Sequence, residues 1–333
     1  MKKLTSLIVV LLLCVALVVP GMAEGASKIA FCFQDLETEF WVAAYDAITE
    51  ELTNRGIEVL EYNGNEDANK QLEQVNDAIA QGVDGIILIP QDGESAVTII
   101  NVCNRAGVPI AVYNRPPSVE DVKAIVVVCD NYSIAYAAAS YMFEAARERY
   151  DETGEKVVAF NLIGNLGDPN AIERSNGFKD AAAENEDIVE TIVEVPTEWD
   201  ANTTLANLRT AAQATPDFNM LFCGSDFLYP QIQAVLEPLG KWVPAGEEGH
   251  VIMGACDGDS GAGALMDAGY VDATAVQDVY FEADAAMDSL LAAIEAGETE
   301  PQEWIQDPGF ALTQANMAER HDDMWGNRMG DAE

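Results

Sequence analysis

The chain has 333 residues, 57 of them acidic against 17 basic, for a formal net charge of -40, and 49% are hydrophobic. So much negative charge repels nucleic-acid phosphates and anionic membrane surfaces, which excludes nucleic-acid partners, while the apolar share is ample for a folded core. The acids are sprinkled beside apolar residues and do not form a tail, so the chain reads as a folded protein.

The first predicted element is a secretory signal peptide over residues 1–23. Lys2 and Lys3 precede thirteen uninterrupted apolar residues, 7–19, and Pro20, Gly21, Met22 and Ala23 offer a cleavage site before Glu24. Thirteen residues fall short of the roughly 20 that a spanning helix needs. An exported protein in the periplasm or cell envelope is expected. Cleavage removes two lysines and no acid, moving the net charge from -40 to -42. The remaining length suggests two domains.

Five cysteines follow: Cys32, Cys103, Cys129, Cys223 and Cys256. At most two pairs could form, no C-x-x-C occurs, and His250 and His321 are the sole histidines, so buried structural thiols are expected.

Short β-branched runs then alternate with helical patterns. Strands are predicted over 29–33, 59–62, 86–89, 110–113 and 125–128. Between the first two, Trp41, Tyr45, Ile48 and Leu52 repeat at helical spacing up to Gly56; Leu72, Val75 and Ile79 form a second stripe stopped by Gly82; and a third helix over 95–106 ends at Gly107. The second half repeats the architecture without repeating the sequence, with strands at 157–162, 188–195, 220–223, 251–255 and 273–276. The fold class is α/β, with two doubly wound parallel-sheet, Rossmann-like lobes. In such sheets, function gathers just beyond the carboxyl ends of the strands. Those positions hold Gln34-Asp35, Pro90-Gln91-Asp92, Asn114-Arg115, Asp130-Asn131, residues 164–170, Gly224-Ser225-Asp226, Asp257-Gly258-Asp259 and Gln277-Asp278.

Several of these segments resemble the type I periplasmic binding proteins, specifically the sugar binders of ABC importers related to the ribose and galactose binders. The resemblance rests on Phe40-Trp41, the 85–90 strand, Ile110 to Arg115, Cys129-Asp130-Asn131, Arg174 with Asn176-Gly177-Phe178, Ser225-Asp226, Gly254 to Gly258 and Ala273 to Gln277, in order and spacing. It implies a three-strand hinge with crossings near Asp130, Gln277 and Asp307. The amino-terminal lobe would comprise 27–129 plus 278–306, the carboxyl-terminal lobe 130–277 plus 308–333. A ligand touching both would favour the closed form.

By the same resemblance, Phe40 and Trp41 supply aromatic surface from one lobe and Trp199 the facing ring from the other. Asn114 and Arg115 are the polar pair after the fourth strand, Arg174 an arginine fork, Asp257 a carboxylate accepting from two hydroxyls, and Gln277 the hinge amide. Asp168, Asn170 and Ser225 stand where relatives carry other polar groups, which leaves the identity of the sugar open, and Thr38 is a weak candidate ahead of the aromatic pair. Charged groups hydrogen-bonding a hydroxyl rim and rings over C–H faces are what a monosaccharide or polyol requires. Plainer roles compete. Trp41 lies on the apolar stripe of its helix, Trp199 could be core, Arg174 could pair with Glu173 at the surface, and Asp257 could cap a helix beginning near Gly261.

No catalysis, cofactor or metal is expected. The Gly258-Asp259-Ser260-Gly261 run copies a serine-protease tetrapeptide out of context, and residues 150–154 lack calcium-loop spacing. The expected partners are a small-molecule sugar and a membrane permease, with the protein monomeric. A ligand-presenting protein for a chemoreceptor or sensor kinase, and an exported glycoside hydrolase, are the alternatives.

Overall fold

The computed structural model describes residues 26–329. The predicted signal peptide lies outside the described residues. Strand and helix alternate from the start: β1 (Lys28–Phe33), α1 (Glu39–Asn54), β2 (Glu58–Asn63), α2 (Ala68–Ala80), β3 (Gly85–Leu88), α3 (Gly93–Ala106), β4 (Ile110–Tyr113), β5 (Ile125–Cys129) and α4 (Asn131–Thr153). The second run is β6 (Val157–Ile163), α5 (Pro169–Ala183), β7 (Val189–Pro196), α6 (Ala201–Ala214), β8 (Met220–Cys223), α7 (Tyr229–Leu236), β9 (Ile252–Asp257), α8 (Ser260–Asp267), β10 (Ala273–Val276), α9 (Val279–Ala296), β11 (Glu303–Asp307) and β12 (Phe310–Thr313).

Two six-stranded sheets result. The first is parallel throughout in the order β11-β5-β4-β3-β1-β2, and the second runs β12-β10-β9-β8-β6-β7 with only β12 antiparallel. The chain passes between the sheets three times: from β5 into α4, from β10 into α9, and from β11 into β12. Strands β11 and β12 were not among the sequence expectations. β11 lies at a sheet edge and its EWIQD sequence is mostly exposed, so it lacks the apolar run that marks the central strands.

Central strands such as β3, β4, β8 and β10 are buried on both faces, as helices on each side of a parallel sheet demand. The helices start under local instruction. Among the eleven α-helices of the described residues, which include two short ones after β12 (Met317–Arg320 and Trp325–Arg328), seven are N-capped by an aspartate whose carboxylate accepts from a first-turn backbone N–H: Asp67, Asp92, Asp130, Asp168, Asp200, Asp259 and Asp278. Thr38 caps α1 by accepting from the Trp41 N–H at 3.3 Å. Many of the acids beyond strand ends therefore serve the helices that follow them. Asp259, and not Asp257, caps α8, which removes capping as an explanation for Asp257.

The five cysteines of the described residues are free and buried, four in β1, β5, β8 and β9 and one in α3. Among the described residues, no helix is long and apolar enough to cross a membrane.

Candidate functional site

The carboxyl ends of the two sheets face each other across a cavity of about 600 Å³. All eleven expected residues line it: Phe40, Trp41, Asn114 and Arg115 from the side of the first sheet, Asp168, Asn170, Arg174, Trp199, Ser225 and Asp257 from the second, and Gln277 at a crossing. Thr38 lines it too.

Arg115 organises the first wall. Its Nη1 donates to Gln34 Oε1, to the Pro90 carbonyl at 3.1 Å and to the Gln91 carbonyl at 2.6 Å, while Nε pairs with Asp168 Oδ2 at 2.9 Å across the cleft. Asn114, at φ +63, donates through Nδ2 to Gln277 Oε1 at 3.0 Å and to Glu282 Oε2 at 3.1 Å, which fixes its amide orientation. Asn170 Nδ2 reaches over to the Asn114 carbonyl at 3.1 Å. A further bridge joins the Gly93 N–H to the Gly167 carbonyl at 3.1 Å. Glu39 accepts from the Ser260 N–H and hydroxyl, both at 2.7 Å. The lobes are closed upon one another.

Arg174 organises the second wall. It is buried and donates to Asn131 Oδ1 at 2.6 Å and the Gly224 carbonyl at 2.7 Å, and pairs with Asp257 Oδ1 at 2.8 Å. The surface pairing with Glu173 is therefore not what holds it. Asp257 also accepts from the Ser225 hydroxyl and from Gln277 Nε2 at 2.8 Å. Burial raises its carboxyl above the usual range even against the opposing pull of Arg174. Asp257, at φ +110, and the adjacent pair Glu198 and Trp199, at φ +54 and +56, hold conformations rare for side-chain-bearing residues, and all line the cavity.

The aromatic groups divide differently from expectation. Phe40 lies off the apolar stripe yet is only 5% exposed, edge-on to Trp41 and Trp325, so it packs as core while lining the cleft. Trp41 likewise joins the core and the lining. Trp199 is the freer ring. Its Nε1 donates to Asp168 Oδ2 at 3.1 Å, and the indole lies over the Cβ-less faces of Gly164 and Gly224, so core burial does not account for it.

Gln34, Asp35 and Gln91, placed at functional strand ends by the sequence but given no ligand role there, also line the cavity, as do Glu66, Glu198 and Phe227, which sequence reasoning did not assign to the site. Gln34, Asp35 and Gln91 follow β1 and β3, so their place beyond strand ends was the available signal. Burial raises the Asp35 carboxyl, and burial followed by the charges of Asp35, Glu37 and Asp200 raises that of Glu66. Glu282 was also missed. It is buried behind Asn114, where burial and then Asp307 hold its carboxyl well above the ordinary range.

Cys129, Glu282 and Asp307 bring potential metal-ligand atoms within 4.8 Å of one another behind the cleft. Both Asp307 oxygens already accept backbone N–H groups, from Asp278 at 2.7 Å and Gly309 at 2.9 Å, so this aspartate ties two crossings together. The protease-like tetrapeptide is the turn into α8. Its Ser260 hydroxyl faces Glu39, while His250 engages Val243 and Asp272, and His321 lies beside Asp267 and Asp322. No serine–histidine pairing is built there.

A family model described as periplasmic binding protein domain matches residues 29–299. The chain is 26% identical over 191 residues to the ribose import binding protein of Bacillus subtilis, a match covering 57% of this chain and 59% of that protein. It is 24% identical over 267 residues to the D-apiose import binding protein of Actinobacillus succinogenes, covering 80% and 82%. Among solved structures, an ABC transporter solute binding protein from Mycobacterium smegmatis with bound glycerol superposes with a TM-score of 0.77 at 23% identity, covering 88% of this chain and 96% of that one. One from Bacillus halodurans with bound myo-inositol gives 0.75 at 24%, covering 90% and 98%.

Proposed function

The chain belongs to the periplasmic binding protein domain family, and from that premise we propose that it captures a monosaccharide or similar polyol between its two lobes and hands it to the permease of an ABC importer. The observation that carries this reading is the closed cleft itself. Two buried arginine–aspartate pairs, Arg115 with Asp168 and Arg174 with Asp257, line one cavity together with the Trp199 indole. Charged donors and acceptors suit a rim of hydroxyls, and an indole face suits the C–H surface of a sugar ring.

The lobes in this reading are 27–129 plus 278–306 and 130–277 plus 308–333, and closure follows from a ligand that contacts both. Residues 1–23 act as a signal peptide for export, and the protein works as a monomer. On this account it is a binding protein and not an enzyme: Asp168 and Asp257, the buried carboxylates on the Trp199 side of the cleft, are each held by an arginine and are suited to accepting from hydroxyls.

Thermal-shift titration against pentoses, hexoses and inositols tests the proposal. The relatives named for ribose and apiose import, and the matching fold that holds myo-inositol, define the starting panel. A ligand at 100 times its dissociation constant stabilises by about 2.7 kcal/mol. A panel that shifts nothing, or turnover of a glycoside by the purified protein, overturns it.

A further inference from the structure

The cleft is lined by seven carboxylates and two arginines. Each guanidinium is taken up by an aspartate, Arg115 by Asp168 and Arg174 by Asp257. Five carboxylates remain without a cation. Glu37, Glu66, Glu198 and Asp200 are exposed, and each alone is screened by water, with Asp200 also capping α6.

Asp35 is different. It is only 7% exposed, stands at the carboxyl end of β1 on the cavity wall, and accepts from the Glu37 N–H at 2.8 Å, yet no lysine or arginine among the described residues lies within salt-bridge distance of it. The chain's general acidity does not explain such a group, because that acidity is carried on exposed surface. Other buried acids have structural work. Asp226 holds the Gly258 N–H and the Thr274 hydroxyl, Asp272 holds the Met253 N–H, and Asp307 joins two crossings. A buried carboxylate facing a ligand cavity without a cation is the arrangement that a cationic ligand completes.

The exposed acids reinforce it from both lobes. Glu66 feels the charges of Asp35 and Glu37 on its own side and of Asp200 from the opposite side, opposed by the weaker pull of Arg115, which is itself paired with Asp168, so the acids' fields overlap over the same opening. Overlapping negative potential raises the local concentration and arrival rate of a cation.

We propose that the ligand carries a protonated amine: an amino sugar or aminocyclitol whose ammonium sits beside Asp35, while the arginine–aspartate pairs and the Trp199 indole hold its hydroxyl-bearing ring. This rests on the capture of a polyol proposed above and narrows its class. An ammonium offers three donors to carboxylates that otherwise repel one another, and a neutral sugar leaves that repulsion in place.

Calorimetric titration of the mature protein with matched triplets tests the inference. Each triplet holds a parent polyol, its primary amine and its N-acetylated amine, drawn from the glucose, galactose, ribose and inositol series. The expected result is an amine that binds at least about tenfold tighter than both its parent and its acetylated form, an advantage of about 1.4 kcal/mol that shrinks as salt shortens the reach of the field. Asp35→Asn should cut the affinity for the amine more than that for the parent, with the unliganded melting temperature reporting the fold. If parents or N-acetyl forms bind as well as the amines in every triplet, the inference falls while polyol capture stands. If no member of any triplet binds, both fall.

Discussion

Arg115 Nε and Asp168 Oδ2 form an ion pair at 2.9 Å that crosses from one lobe to the other, with both side chains 5% exposed. A pair so placed is made on closure and unmade on opening, so it contributes to the closed state alone. Asp168→Asn keeps the α5 cap, since asparagine caps as well as aspartate, but loses the charge. Truncating one partner of a buried pair costs about 2–5 kcal/mol. The affinity for ligand should therefore fall by roughly 30-fold or more, and small-angle scattering of the unliganded variant should show a larger radius of gyration than wild type. An unchanged affinity would remove this pair from the closing mechanism.

Gly164 is required by its neighbour. A Cβ built there would lie 2.1 Å from Trp199 Cζ2, a distance no real structure tolerates, so Gly164→Ala must displace the indole. Ligand binding should drop by about tenfold or more, as for loss of an aromatic contact worth ~1–1.5 kcal/mol. Trp199→Ala should match it, and both should leave the unliganded melting temperature nearly unmoved because the ring is half-exposed.

Arg174 behaves otherwise. Removing it strands Asp257 in the interior, and breaking a buried pair from one side costs about 3–5 kcal/mol. Arg174→Ala should lower unliganded stability by that much in denaturant titration and also abolish binding. Adding Asp257→Asn to it should recover part of the stability but none of the binding.

Glu282 makes stability depend on pH. Its folded-state carboxyl titrates well above the ordinary glutamate value, so between about pH 4.3 and its native value the folded protein holds a proton that the unfolded chain has released. Stability therefore falls as pH rises through that window, by about 1.4 kcal/mol per pH unit from this group. Glu282→Gln should remove that part of the slope and leave the variant relatively more stable at pH 7 than at pH 5. Asp259, pushed up to about 7 chiefly by burial, should keep a residual slope in both proteins. Equal slopes would show that Glu282 is ionised in the fold.

The thiols should be silent. Burial raises Cys103 and Cys223 to about 12 and holds Cys32, Cys129 and Cys256 up as well, so little reactive thiolate exists at neutral pH. A thiol-specific chromophore should react with none of the five in the native protein and with all of them in guanidinium. Rapid labelling of the native form would contradict their burial.

The candidate site was legible to the extent that it sits at strand ends. Asn114, Ser225, Asp257 and Gln277 follow or finish apolar runs that announce β4, β8, β9 and β10 by composition alone. Glu282 was not legible, because it lies one turn into α9 among alternating acids and alanines, where a glutamate reads as a solvent-facing residue. Its burial arises only because α9 crosses behind Asn114 after the chain has left the second sheet. Edge strands β11 and β12 were missed for a related reason: one is mostly exposed and the other only half buried, so neither carries the continuous apolar run of a central strand.

Local chemistry in the chain determined the alternation of strand and helix, the aspartate caps and the parallel sheets, since apolar runs, helical stripes and N-cap residues act over a few neighbours. Which carboxylates are compensated was decided by tertiary structure alone. Arg115 meets Asp168 across the cleft, Arg174 meets Asp257, and Asp35 has no lysine or arginine within salt-bridge distance among the described residues, because charge balance depends on distances in space that no spacing along the chain records.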